Sequence, residues 1–360
     1  MTSRAATGAF QVGAYTMPEL SICMPSNRNL EQSRAAIDSA IAYCEARDAV
    51  LIVSDNSGDP EKRAHFQNRS PRLTWIDAGN ASPFANMRLA LDAAKTPFVM
   101  PMGDDDEVHA VEGQPTFDLA GLPYDYMGVL PVSVVFAEKH GTMHSKAFAL
   151  TDEDPGERMG QYISGAKGNN SLYYSMFRRD VFSALLHDFV EHHPTKGMYC
   201  DWALLLALIC YGKMAHDPGT VFRYNMGNWD SAEKIGDMYV DLYRNAGLPA
   251  EAIKFDSLLM YLDTFVFAMR QGSPVPPDQR QRLGRIVTNR LLGSFIQKVA
   301  NAPEAYDGTV RHLATMALEE PDSFVEFQIA MMMVDRLQPG LKDRYVTFVR
   351  TLMAPAGTGA

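Results

Sequence analysis

The chain has 360 residues, 46% of them hydrophobic and 21% charged, with a formal net charge of -10. This composition excludes a disordered or fibrous chain and leaves room for one large domain or two ordinary ones. No apolar stretch approaches the ~20 residues of a membrane-spanning helix, and the opening MTSRAATGAF lacks the apolar block of roughly 7–15 residues that marks a secretory signal. Residues 1–18 are expected to form a flexible arm, and the protein to be cytoplasmic, with peripheral attachment at a membrane as the alternative. Cys23, Cys44, Cys200 and Cys210 lie far apart in apolar contexts without CxxC spacing, which argues against disulfides and structural zinc. Residues 1–230 hold 19 Lys+Arg against 28 Asp+Glu, and residues 231–360 hold 14 against 15. An acidic balance opposes nonspecific nucleic-acid binding and suits divalent cations.

The first hundred residues alternate short apolar runs with helical patterns, as a parallel sheet with crossover helices does. Strands are predicted at Glu19–Met24, Ala49–Val53, Leu73–Ile76 and Phe98–Met102, and helices at Asn29–Cys44 and Pro83–Ala94. Polar clusters follow the strands: Pro25 to Arg28, Asp55 to Ser57, and Asp104 to Asp106. Further strands are predicted at Tyr126–Phe136, Ser171–Phe177 and Thr220–Tyr224, and helices at Arg179–Val190 and Trp202–Gly212. The polar stretch Glu138–Asn170 reads as a long mobile loop. Beyond Ser231 the pattern is helical, with an apolar face over Phe255–Met269, a break at Gly272–Pro277, and helices at Arg282–Val299, Val310–Leu318, Ser323–Leu337 and Leu341–Leu352.

In open α/β sheets ligands bind beyond the carboxyl ends of the strands, so the three polar clusters can converge on one crevice. Their order and spacing, read as SICMPSNR (Ser21 to Arg28), LIVSDNSGD (Leu51 to Asp59) and FVMPMGDDDE (Phe98 to Glu107), resemble the family-2 glycosyltransferases of GT-A fold. Asn80 to Phe98 resembles the family's Asn-containing helix before the acidic strand and puts Asn86 in the donor site. The likeness spans residues 19–225. It implies a Rossmann-type mixed sheet flanked by helices at 19–230, and the apolar pattern beyond it predicts an all-helical region at 231–353 and a flexible tail at 354–360.

The resemblance also implies roles. Asp55 would meet the nucleotide base, and Pro25, Asn27 and Arg28 would floor the base and ribose. Asp106 would bind Mn²⁺ or Mg²⁺ in a D-x-D-like motif, with Asp104 and Asp105 contacting ribose or supporting the metal. Three adjacent carboxylates repel one another, so a cation accounts for their placement better than a solvated turn. Inverting transfer needs a base for the acceptor hydroxyl. The family takes it from an E-D-like pair at a helix start, and here Asp201 matches the second position while Cys200 departs from the first. Asp201 could equally cap the helix after it. Lys167, Asn169, Asn170, His216 and Trp229 are weaker candidates for acceptor or diphosphate contact. A uridine diphosphate sugar is the first donor to test; a glycan or protein is the guessed acceptor, and the helical region a candidate dimer surface.

Two other readings compete. Asp104 to Val108 fits the D-x-D-x-[TV] pattern of haloacid-dehalogenase-like phosphatases, with Asp104 as nucleophile and Gly236–Asp241 mimicking a later motif, although that segment sits in a helical context. A non-catalytic nucleotide-sugar binder would have no use for Asp201. His192 and His193 before Pro194 read as a turn, and Arg280, Arg282, Arg285 and Arg290 as a solvated helix face.

Overall fold

The computed structural model describes residues 17–137, 140–227 and 231–353. In chain order the elements begin β1 (Leu20–Ser26), α1 (Leu30–Arg47), β2 (Val50–Asp55), α2 (Pro60–Phe66), β3 (Leu73–Asp77), α3 (Pro83–Ala93), β4 (Phe98–Pro101) and β5 (Glu107–Ala110). They continue with β6 (Tyr126–Ala137), β7 (Gly141–Lys146), α4 (Pro155–Gly165), β8 (Met176–Arg178), α5 (Arg179–His192), α6 (Asp201–Tyr211) and β9 (Lys213–Asn225). The helical region supplies α7 (Ala232–Asn245), α8 (Asp256–Met269), α9 (Pro277–Val287), α10 (Gly293–Asn301), α11 (Gly308–Glu319), α12 (Ser323–Leu337) and α13 (Leu341–Met353).

The sheet is mixed, in the order β3-β2-β1-β4-β8-β6-β9-β5, with β7 paired to β6. The four early strands are mutually parallel, because each returns through a crossover helix or loop of the right length. β8 runs antiparallel to both β4 and β6, so β6 and its parallel neighbour β9 point the same way as β1. The carboxyl ends of β1, β2, β4, β6 and β9 therefore share one edge. β6 and β8 approach closely because residue 128 is glycine; a Cβ there would meet the Met176 carbonyl oxygen at 2.1 Å.

Several sequence expectations are corrected. The stretch 138–170 is not one loop: β7 pairs with β6, and Asp154 caps α4 by accepting the N–H groups of Gly156 and Glu157. Within Ser171–Phe177 a 3-10 turn at Ser171–Tyr173 precedes the short β8. The strand predicted at Thr220–Tyr224 is the end of β9, which begins at Lys213. Helix α2 and strand β5 were not foreseen, and the helix expected from Arg282 starts at Pro277 and is interrupted by a π-helical turn at Thr288–Leu292.

All four cysteines are free and buried. The helical region is joined to the sheet domain by α8, which is buried almost all round and packs on α6. One apolar cluster runs from Cys23 and Ile52 through α5 and α6 to Phe348 and Leu352. Arg282 and Arg290 stay exposed, as a solvated helix face does, and pair with Asp154, the cap of α4, and Glu157 within it. No helix among the described residues is long and apolar enough to cross a membrane.

Candidate functional site

The shared carboxyl edge carries a continuous polar chain. Lys62, fully buried in α2, spends its three protons on Asp55 Oδ1 at 2.7 Å, Ser26 Oγ at 2.6 Å and the Arg28 carbonyl at 2.8 Å. The Ser26 hydroxyl in turn donates to Asp104 Oδ2 at 2.7 Å. That oxygen also accepts the backbone N–H groups of Asn27 and Arg28, both at 3.0 Å. The Arg28 guanidinium then bridges Asp104 Oδ1 at 2.5 Å and Asp105 Oδ2 at 2.7 Å. Asp55, Lys62, Ser26, Asp104, Arg28 and Asp105 thus form one hydrogen-bonded line along the ends of β1, β2 and β4. Lys62 was missed in the sequence. Its signal was Asp59-Pro60, an N-cap followed by the proline favoured at a helix start, which places α2 and hence the lysine.

The three acidic residues have different environments. Burial works against the charge on Asp104, but its bonds to Ser26 and Arg28 outweigh it and the pKa is lowered. Burial raises Asp105 despite Arg28, with the charge of Asp104 adding to the rise. Asp106 is 2% exposed. Burial first and the Asp105 charge second push its carboxyl well above the usual range, while the Asn225 N–H, 2.8 Å from Oδ1, opposes the shift. A Cβ at Gly103 would lie 2.8 Å from Asp106 Oδ2 and 3.0 Å from Asp105 Oδ1, so those two oxygens converge over the glycine. Two converging, mutually repelling carboxylate oxygens fit a hard divalent cation such as Mg²⁺ or Mn²⁺. Asp104, with its oxygens taken by protein donors, is not part of that pair.

Asp55 Oδ2 accepts from the Ser57 hydroxyl at 3.1 Å. Pro25 lies near the end of β1, and Asn27 is exposed beside it. Asn86 is buried, donating to Asn56 Oδ1 at 3.2 Å while its own Oδ1 has no hydrogen-bond partner. These groups surround the same end of β2 that holds Asp55.

Asp201 reaches this edge by connectivity. α6 leads through Gly212 into β9 at the opposite edge, so the start of α6, about 16 Å away along the helix axis, returns to the carboxyl ends. Cys200, not Asp201, holds the cap position; Asp201 is the first helical residue, and its Oδ1 accepts the Trp202 N–H at 2.8 Å. Burial pushes the Asp201 carboxyl up to about 7, opposed by the Asn170 side chain and the Trp202 N–H. The charges of Asp105, Asp106 and Asp201 all act on Tyr174 and Tyr224, whose rings stack at 5.7 Å. The acidic pair and Asp201 therefore lie around the same two tyrosines.

Of the weaker candidates, Asn170 stands beside Asp201, on whose carboxyl its side chain acts, and its Oδ1 accepts the Tyr162 hydroxyl. Asn169 bonds the buried Lys146 through its side chain and its carbonyl, the latter at 3.0 Å. Burial first and Lys167 second lower the Lys146 amine to about 7. Lys167 is exposed in a left-handed backbone conformation, its amine donating to the Ser145 carbonyl at 3.2 Å. His216 is not brought to this group: it pairs with Leu130 while Asn225, which bonds Asp106, pairs with Phe136, about 20 Å further along β6. Trp229 lies outside the described residues. For the phosphatase reading, Gly236–Asp241 falls inside α7 rather than at a strand end.

Residues 21–186 match the family model described as Glycosyl transferase family 2. Among solved structures, the chain is similar to S. aureus TarS 1-349, with 13% identity over 89% of this chain and 91% of that one and a TM-score of 0.39. It is also similar to the same TarS segment in complex with UDP-GlcNAc, with 12% identity over 89% and 92% of the two chains and a TM-score of 0.39. No curated protein matches.

Proposed function

We propose, on the match of residues 21–186 to the glycosyl transferase family 2 model, that the protein moves a sugar, with inversion at the anomeric carbon, from a nucleoside-diphosphate donor to an acceptor hydroxyl. The observation that carries this reading is that a carboxyl raised to about 7, Asp201, and the Asp105–Asp106 pair, whose oxygens both approach Gly103, act on the same two tyrosines. Asp201 takes the proton of the acceptor hydroxyl as that oxygen attacks the anomeric carbon, and the bond from that carbon to the diphosphate oxygen breaks. A base with a pKa near the working pH combines availability with driving force. Asp105 and Asp106 would hold Mn²⁺ or Mg²⁺, which when bound neutralises charge on the departing diphosphate. Arg28 keeps Asp104 and Asp105 in register. Asp55, immobilised by Lys62 and Ser57, offers acceptor oxygens to an N–H of the base, which favours uracil as the first base to test. Tyr174 and Tyr224 line the path of sugar and acceptor. A glycan or protein hydroxyl is the acceptor class we would try first.

The test is thermal unfolding with nucleoside diphosphates and their sugars, with and without Mn²⁺, since a ligand selective for the folded state raises the midpoint. A metal-dependent rise for one nucleotide, lost in Asp106→Ala, is the expected result. No rise with any nucleotide would sink the reading.

A further inference from the structure

His193, Cys200 and Asp263 meet in a buried seam between the end of α5, the turn before α6, and α8 of the helical region, each with 3% exposure or less. His193 Nε2 lies 2.9 Å from Asp263 Oδ1. Cys200 Sγ lies 3.5 Å from Asp263 Oδ2 and 3.7 Å from His193 Nε2. The Tyr345 hydroxyl of α13 donates to Asp263 Oδ1 at 2.7 Å. His193 closes α5 and opens the turn expected before Pro194, but its ring is buried rather than solvated.

A histidine, a cysteine and a carboxylate within 4.8 Å of one another could hold a metal ion. The other ring nitrogen argues against it. The backbone N–H groups of Thr195 and Lys196 point at His193 Nδ1 from 3.2 and 3.0 Å, so Nδ1 accepts and the ring proton sits on Nε2. A histidine that binds metal through Nε2 needs the reverse, with a proton on Nδ1 given to a carbonyl or carboxylate. With Nε2–H, Tyr345 O–H and Cys200 S–H all aimed at Asp263, the cluster is a carboxylate gathering three donors. That is what a fully buried carboxylate requires.

We propose that Asp263 is a positioning residue for sugar transfer: contributed by the helical region, it anchors the turn that ends in Cys200 and so fixes where Asp201 projects. The proposal rests on the reading of Asp201 as the base. It gives the helical region a part in the active site without contact to substrate. It also gives Cys200, which stands where the family resemblance leads one to expect an acid, a carboxylate partner from a distant segment.

The test uses the full chain and two variants, Asp263→Asn and the milder Tyr345→Phe, read by amide hydrogen exchange and by kinetics normalised to nucleotide-binding sites. In Asp263→Asn, exchange at residues 199–204 should accelerate roughly tenfold or more while that at residues 103–106 is unchanged. The same variant should lose kcat roughly 10- to 100-fold with the donor KM held within about twofold. Tyr345→Phe should show the same pattern more weakly. A purely structural role would instead accelerate exchange evenly and leave kcat per binding site intact. That result, unchanged exchange at 199–204, or stoichiometric zinc in the purified protein would overturn the proposal. A wild-type chain that transfers no sugar would defeat the reading of Asp201 instead, and the exchange pattern would still decide whether Asp263 anchors the turn.

Discussion

Asp201 carries the sharpest predictions at the scale of a residue. Its folded pKa of about 7 lies above the ordinary carboxylate value because burial disfavours the charge. As the proposed base it must be ionised, so kcat should rise with pH through about 7, measured under saturating donor and acceptor. Stability has the opposite sense: it is full below about pH 4, where both folded and unfolded carboxyls are protonated, and is lost as pH rises through 7. Asp201→Asn should therefore abolish transfer, retain nucleotide binding, and stabilise the fold by on the order of 2–4 kcal/mol above pH 7, with little gain near pH 4. Melting curves at a series of pH values decide this; a variant destabilised at pH 8 would refute it. The buried pair Lys62–Asp55 gives a second test. Lys62→Met leaves Asp55 without its cation and should cost about 3–5 kcal/mol. Adding Asp55→Leu should restore most of the stability without restoring nucleotide binding, measured by denaturant melts and by titration calorimetry.

At the scale of an element, α2 shows how a seven-residue helix places a site lysine. Asp59 accepts the N–H groups of Glu61, Lys62 and Leu30, tying the start of α2 to that of α1. Asp59→Ala should cost about 1 kcal/mol in stability and weaken nucleotide binding through Lys62, whereas Asp59→Asn, which keeps an acceptor oxygen, should retain most of both. Elements with a strong local pattern, such as β1, β2, β4 and α3, were legible because period and end signals agree. The segment 138–170 was not, because β7 is an edge strand whose residues are largely exposed and whose pairing with β6 comes from tertiary contact. Lys146 illustrates the same point: nothing local marks it as buried, yet Asn169 and Ser171 hold its amine. The Asp154-Pro155 cap of α4 was a usable signal.

At the scale of the whole molecule, the sheet domain and the helical region share one core. α8 presents apolar side chains in nearly every direction, as only a buried helix does, and its partner α6 is buried from Ala203 to Tyr211. Calorimetry should show one unfolding transition; two resolved transitions would show that the regions are energetically separate. The sequence by itself determined the sheet's first half and the order of the acidic clusters, because these depend on residue type and spacing along the chain. Tertiary structure alone decided that Asp104 is taken up by Ser26 and Arg28 while Asp105 and Asp106 converge, that Lys62 joins Asp55 to that cluster, that His216 stays near the other end of β9, and that Asp263 reaches Cys200. Those outcomes turn on which donors meet which lone pairs across the fold, and segments far apart in the chain meet only when the core brings them together.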